Sequence, residues 1–283
     1  EFKVVPLAKG LGRVAHCQAA DFDSDGDLDI VVAVFGWRKV GNILLLENET
    51  TDYSSPKFTP YVLDPRPGAI HVPVTDLDGD GDPDFVALIS QHHETIIAFL
   101  NDGSGGFRKE TIFRASHPNW GATGIQLVDM DGDGDLDILS SNGDSLDDLV
   151  PKPYHGIQWF ENSGSYPFKQ HLLTKLYGCN AAKAADIDGD GDVDIFASVF
   201  LPYIRKETPG SESVESLIWL EQVEPGRFER YSLEKFTCFH PTLDLGDFDG
   251  DGDLDLVVGN MTMARKKGDT LPYWAVLWRN QGR

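Results

Sequence analysis

A chain of 283 residues with a formal net charge of −22 and a mean hydropathy of −0.27 is long enough for a sizeable core, and its acidity argues against nucleic acid and anionic lipid as partners, since both repel it. Three cysteines give no disulfide framework and leave at least one thiol unpaired or metal-bound, and no apolar run approaches a membrane span. The sequence opens at Glu1 with neither an initiating Met nor a leader-like segment, so a mature or excised form is expected.

In chain order, FKVVPL at residues 2–7 reads as a lone strand. A unit of fixed design then repeats: a short apolar run, an acidic loop, a second apolar run, a third run ending in a turn, and a strand opening with Phe. The first unit runs through HCQAA, Asp21–Asp29, IVVAV and ILLLEN to Phe58. The second runs through IHVPVT, Asp76–Asp84, FVALI and IIAFLND to Phe107. GIQLV, Asp129–Asp137, ILSS and IQWFEN lead to Phe168, and AKAA, Asp186–Asp194, IFASVF and LIWLEQ lead to Phe228. The fifth unit, TLDLG, Asp247–Asp255, LVVGN and AVLWRN, stops without its fourth strand. First Asp to first Asp, the spacings are 55, 53, 57 and 61 residues, the signature of one supersecondary unit repeated.

Each loop reads D-x-D-x-D-G-D-x-D. The metal-ligating candidates are therefore Asp21, Asp23, Asp25, Asp27 and Asp29; Asp76, Asp78, Asp80, Asp82 and Asp84; Asp129, Asp131, Asp133, Asp135 and Asp137; Asp186, Asp188, Asp190, Asp192 and Asp194; and Asp247, Asp249, Asp251, Asp253 and Asp255. Alternate residues of a tight loop point oxygens at one centre, which is calcium chemistry; the seventh Asp offers its backbone carbonyl and the Gly before it permits the turn. Without a cation, close carboxylates repel by roughly 4 kcal/mol per pair at an effective dielectric near 20. About five calcium ions are expected. The bidentate Glu that closes an EF-hand is missing at the twelfth position, where Val32, Ala87, Ser140, Ala197 and Val258 stand, so the loop joins two strands rather than two helices. The loops hold 25 Asp, so the rest of the chain is slightly positive: the acidity is ligand.

Four antiparallel strands per unit is blade size. The lone strand at Phe2–Leu7 and the missing fourth strand after AVLWRN complement each other, which predicts an all-β, five-bladed β-propeller in a single domain, residues 1–283, its ring closed by the N-terminal strand completing the last blade. The loops AADFDSDGDLDIVV, LVDMDGDGDLDIL, AADIDGDGDVDIF and LGDFDGDGDLDLVV resemble the FG-GAP/VCBS repeats, similar to the calcium-bearing blades of the integrin α-chain propeller. That resemblance implies fold and metal. The family includes adhesion modules, lectins, parts of bacterial cytochrome fusions and scaffolds of some polysaccharide lyases and sugar dehydratases.

Long, irregular turns at the blade ends away from the acidic loops are the candidate binding face. They carry Arg38, Arg205, Arg265 and Lys152 beside Trp37, Tyr154 and Trp274, cations next to aromatics that suit an anionic sugar. The segments before each acidic loop hold His16, Cys17, His71, His117, Cys179, Cys238 and His240, which topology would gather at a channel mouth, where imidazole and thiolate also suit a transition metal. His71, Tyr154 and His155 are the candidate proton-transfer groups; His92, His93 and His171 carry no further signal. The expected function is an extracytoplasmic, calcium-stabilised binding module for a glycan or protein ligand, standing as a monomer or within a larger multidomain protein. The alternatives are a polysaccharide lyase or sugar dehydratase, and a partner domain of a redox protein.

Overall fold

The computed structural model describes residues 2–37, 40–146, 148–204, 210–261 and 273–282. They form antiparallel sheets with a single 3-10 turn, Ser211–Ser213, as the helical element, and no helix among them is long and apolar enough to cross a membrane. The first sheet is β1 (Val14–Ala20), β2 (Asp29–Trp37), β3 (Val40–Asn48) and β4 (Phe58–Asp64), in that order. In the second, β5 (Ala69–His71) and β6 (Val74–Thr75) both pair with β7 (Asp84–Ile89), followed by β8 (Thr95–Asn101) and β9 (Phe107–Arg114). Pro73 explains the split first strand, because it has no N–H to give the ladder. The third sheet is β10 (Ala122–Val128), β11 (Asp137–Asn142), β12 (Gly156–Glu161) and β13 (Lys169–Lys175). The fourth is β14 (Cys179–Ala185), β15 (Asp194–Val199), β16 (Glu215–Glu224) and β17 (Arg227–Lys235). The fifth holds three strands, β18 (Thr242–Gly246), β19 (Asp255–Gly259) and β20 (Ala275–Trp278).

The expected closing strand is not formed. Residues 2–9 carry no strand, and Phe2 and Val4 are exposed. Pro6 removes a ladder donor and Gly10 turns the chain at a φ of 76°. Ala8 and Leu11 instead pack on Val32, Val34, Leu44 and Leu46, covering one face of the first sheet.

The chain divides into two compact units, residues 1–119 with 164–168, and residues 120–163 with 169–283. In the first, β2 and β3 turn Val31, Ala33, Ile43 and Leu45 toward Phe85, Ala87, Ile97 and Phe99 of the second sheet. Middle strands are buried on both faces, which is why they read as continuous apolar runs instead of alternating. Phe22 plugs this interface, its ring 5.5 Å from Phe107 and 6.2 Å from Phe85, while Phe85 and Phe99 stack at 4.4 Å. In the second unit one core joins Leu139, Ile157 and Trp159 to Ile195, Ile218 and Leu220, and another joins Phe196 and Leu217 to Leu243, Leu256 and Val258.

Candidate functional site

All five acidic loops close in the same register. The residue before the first Asp pairs with the ninth: Ala20 with Asp29, Thr75 with Asp84, Val128 with Asp137, Ala185 with Asp194 and Gly246 with Asp255. Between those pairs the first Asp organises the turn. Asp76 accepts the N–H of Gly79 at 2.8 Å and of Gly81 at 3.0 Å, and Asp129, Asp186 and Asp247 repeat the pattern with their own glycines. The sixth residue is Gly throughout, with φ between 95° and 99°, and a Cβ there meets nothing within 4 Å. Conformation, not space, demands the glycine. The fourth residue is left-handed as well, and Ser24, at a φ of 62°, stands where the other repeats have Gly79, Gly132, Gly189 and Gly250.

The ninth Asp is a staple. Asp84 accepts the N–H of Leu77 at 2.9 Å and of Asn101 at 2.7 Å, so one buried carboxylate ties its own loop to the end of β8. Asp29, Asp137 and Asp255 make the matching pairs, and Asp194 accepts the N–H of Gln222. The residue so tied is Asn or Gln in every repeat, and its side chain makes a second link that sequence reasoning missed. Asn101 Nδ2 donates to Phe22 O, Gln222 Nε2 to Met130 O and Asn280 Nδ2 to Ile187 O. Each bond reaches the second loop residue of the preceding repeat.

The donor sets fit a hard cation. In each loop three carboxylate groups lie with oxygens within 4.8 Å of one another: Asp21, Asp23 and Asp25; Asp76, Asp78 and Asp84; Asp129, Asp131 and Asp137; Asp186, Asp188 and Asp190; and Asp247, Asp249 and Asp251. Burial and the neighbouring carboxylates Asp25, Asp23 and Asp21 push the Asp27 carboxyl up, and its Oδ1 is buried without a hydrogen bond. Asp131 and Asp192 are raised by burial and like charge too. Such crowding is what a divalent ion relieves. The fifth loop differs. Arg279 donates Nε to Asp249 Oδ2 at 2.8 Å, with Nη2 against the same oxygen, and this bond holds the Asp249 carboxyl below the usual range.

The residues expected at a channel mouth belong to both units, and each is described within its own. In the first unit the His16 and His71 rings lie 5.6 Å apart, His16 Nδ1 accepts the N–H of Val72 at 3.1 Å, and burial lowers the His16 pKa. In the second unit Tyr154 stacks on Trp120 at 5.3 Å. His155 is 0% exposed, its Nε2 has no partner, and burial drops its pKa to about 4. The expectation of His155 as an accessible rim base is therefore corrected: the β11–β12 turn folds it inside, where its carbonyl accepts the N–H of Leu176. His240 is also buried, with Asn260 Oδ1 and Glu234 Oε2 facing its two ring nitrogens. Cys179 and Cys238 are buried and Cys17 is exposed; burial pushes the Cys179 thiol up to about 12, which suits an inert core group. Among the described residues, the groups of three able to hold a metal are the five acidic sets alone, so the structure gives no support to a transition metal on the histidines and cysteines. Trp274 is exposed, and Lys152 pairs with Asp148. Arg38, Arg205, Arg265 and the Trp37 side chain lie outside the described residues.

One cluster was not anticipated. At the end of the second sheet away from its acidic loop, Arg66, His92, His93, Arg114, Ser116 and His117 line a cleft of about 230 Å³. Of these, only His117 stood out in the sequence, because the others reach the cleft from separate turns.

Residues 21–87, 76–140 and 142–197 match the FG-GAP-like repeat, and residues 241–267 match the FG-GAP repeat. No curated protein matches the chain significantly. Among solved structures, an Agrocybe aegerita lectin that recognises non-reducing terminal N-acetylglucosamine is similar at a TM-score of 0.53 and 16% identity, over 86% of this chain and 60% of that one. A biofilm matrix protein of V. cholerae follows at 0.49 and 19%, over 88% and 34%, and the catalytic domain of a Coprinopsis cinerea alpha-L-arabinofuranosidase at 0.46 and 11%, over 95% and 90%. The chain thus spans less than two thirds of the first two. With repeat matches over more than half its length, on loops whose register and hydrogen bonding recur five times, the chain belongs to the FG-GAP repeat family.

Proposed function

We propose that this chain is an extracytoplasmic β-propeller binding module. Its five sheets are the blades of one domain, residues 1–283, its acidic loops hold calcium, and the turns at the opposite ends of the sheets receive a glycan or protein ligand. The observation that carries the reading is a contrast within each sheet. The loop between the first two strands is the same structure five times, whereas the turns at the other end differ in length and chemistry, from Ser90–Glu94 to the span between β15 and β16. A constant end serves the scaffold and a varied end serves recognition. Open sites built from a loop of this kind fill where calcium is roughly millimolar, outside the cytoplasm. The fold shared with an N-acetylglucosamine lectin makes saccharides the first ligand class to test.

The lyase or dehydratase reading draws less support, because the base proposed beside Tyr154 is the buried His155. Metal analysis of purified protein, melting curves with and without chelator, and a glycan array of neutral and acidic saccharides test the proposal. Calcium at a hundred times a site's dissociation constant should add roughly 2.7 kcal/mol for a two-state fold. A melting curve indifferent to verified calcium removal would refute the structural role, and turnover of a saccharide without stable binding would favour the enzyme.

A further inference from the structure

The cleft at the end of the second sheet presents hydrogen-bond donors and positive charge on a chain whose formal charge is −22. Three turns build it: Arg66 follows β4, His92 and His93 lie between β7 and β8, and Arg114, Ser116 and His117 end β9 and begin the next link. The arrangement is braced from behind. Buried Asp64 accepts Nε and Nη2 of Arg66 at 2.8 and 2.7 Å and the Arg66 backbone N–H at 3.0 Å. That fixes the guanidinium and leaves its Nη1 edge for another acceptor. The backbone N–H of Asn119 donates to His117 Nδ1 at 3.0 Å, which orients the ring.

The turn bearing the other two imidazoles is held in costly backbone. Gln91, His92 and Glu94 have φ of 45°, 47° and 41°, and the turn is anchored by Ser90 N–H to Gly68 O at 2.9 Å and by Ala115 N–H to Glu94 O at 2.9 Å. Strained non-glycine backbone of this kind persists where the surroundings enforce it, often at binding sites. The nearby carboxyls do not line the cleft. Asp64 is taken by Arg66 and by Lys109 at 3.3 Å, and Glu94 is 5% exposed.

The character of the lining selects the guest. A metal ion would need converging lone pairs, and these imidazoles are not among the groups whose ligand atoms approach within 4.8 Å; two guanidiniums would also repel it. A volume of about 230 Å³ is smaller than the roughly 300–1,000 Å³ of drug-sized ligand sites, so the cleft admits one small group. We propose that the cleft formed by Arg66, His92, His93, Arg114, Ser116 and His117 binds a single oxyanion, the sulfate or carboxylate substituent of an acidic saccharide. The saccharide rests on the binding-module reading above; the anion site rests on the cleft alone.

The test is calorimetric and NMR titration of calcium-loaded protein with sodium sulfate, glucuronic acid, a sulfated monosaccharide and a neutral monosaccharide, at low and constant ionic strength. Saturable binding of at least one anion is expected, weakened about tenfold or more in Arg114→Gln and in His92→Gln and unchanged in Arg227→Gln, which removes an exposed charge elsewhere. Melting curves establish that each variant is folded. The ratio of sulfate to carboxylate affinity tells which substituent the site prefers. No saturable anion binding, equal binding in all variants, or tight zinc binding that depends on His92 would overturn the site. If the neutral sugar binds and the anions do not, the cleft proposal fails while the module stands. If sulfate binds and no saccharide on the array does, the site stands and the glycan reading fails.

Discussion

Asn101 donates its side-chain amide to the carbonyl of Phe22 across 2.8 Å, although 79 residues separate them in the chain. The same Asn gives its backbone N–H to Asp84, so one residue joins the loop of its own repeat to the loop before it. Gln222 and Asn280 do the same with Met130 and Ile187. The bond is buried, but Gly105 N–H also donates to Phe22 O at 3.0 Å and would retain part of that acceptor's satisfaction. Asn101→Leu should therefore cost about 1–2 kcal/mol, read as a lower melting temperature in saturating calcium. Asn101→Gln, matching the fourth repeat, should cost less. Equal stability of Asn101→Leu and the parent would show that the link is dispensable.

The fourth loop position gives a prediction of opposite sign. Ser24 occupies left-handed backbone that glycine fills in the other four repeats, and nothing but the Cβ penalises it. Ser24→Gly should relieve strain worth up to about 1 kcal/mol, less the extra entropy glycine brings to the unfolded chain, and should tighten calcium at the first loop. Gly132→Ser should do the reverse in the third. Calorimetry on the two variants measures both effects, and a weaker first site in Ser24→Gly would contradict the argument.

The loops, the strand order and the strand-opening aromatics near Phe58, Phe107, Phe168 and Phe228 were legible because each follows from a local rule repeated along the chain, five times for the loops and four for the aromatics. What escaped reading depends on distance in sequence. Nothing near Asn101 marks Phe22 as its acceptor, although an Asn or Gln recurring after every third strand was the available signal. Arg66, His92 and Arg114 meet only because three turns share one sheet end, and isolated cations in turns look alike. His155 and the N-terminal segment misled for a different reason. A polar residue in a turn reads as exposed, and an apolar hexapeptide reads as a strand, whereas burial and Pro6 decide otherwise.

His155 makes stability depend on pH. Its folded-state pKa, lowered by burial to about 4, lies well below the ordinary value near 6.5, so the unfolded chain binds the proton first. The stability from keeping it neutral is whole above about pH 6.5 and is lost as the pH falls through about 4, a difference of roughly 3 kcal/mol at most. Denaturant titrations at saturating calcium across that window should show the loss, and His155→Leu should flatten the curve relative to the parent. A variant with the parent's slope would place the titration elsewhere.

The fifth acidic loop should be the weakest calcium site. Its clustered carboxylates, Asp247, Asp249 and Asp251, stand at the same loop positions as those of the first and fourth loops, but Arg279 already holds Asp249. A cation entering there must break a charge-assisted hydrogen bond, and it gains less because the guanidinium has already relieved part of the carboxylate crowding. The other loops present no such competitor among the described ion pairs. Native mass spectrometry at graded calcium should fill four sites before the fifth, and Arg279→Gln should bring the last site closer to the others. The pair is exposed, so added salt should weaken it and narrow the gap in the parent protein. Simultaneous filling of five sites, or a fifth site weakened further by Arg279→Gln, would mean that the arginine supports the loop instead of competing for it.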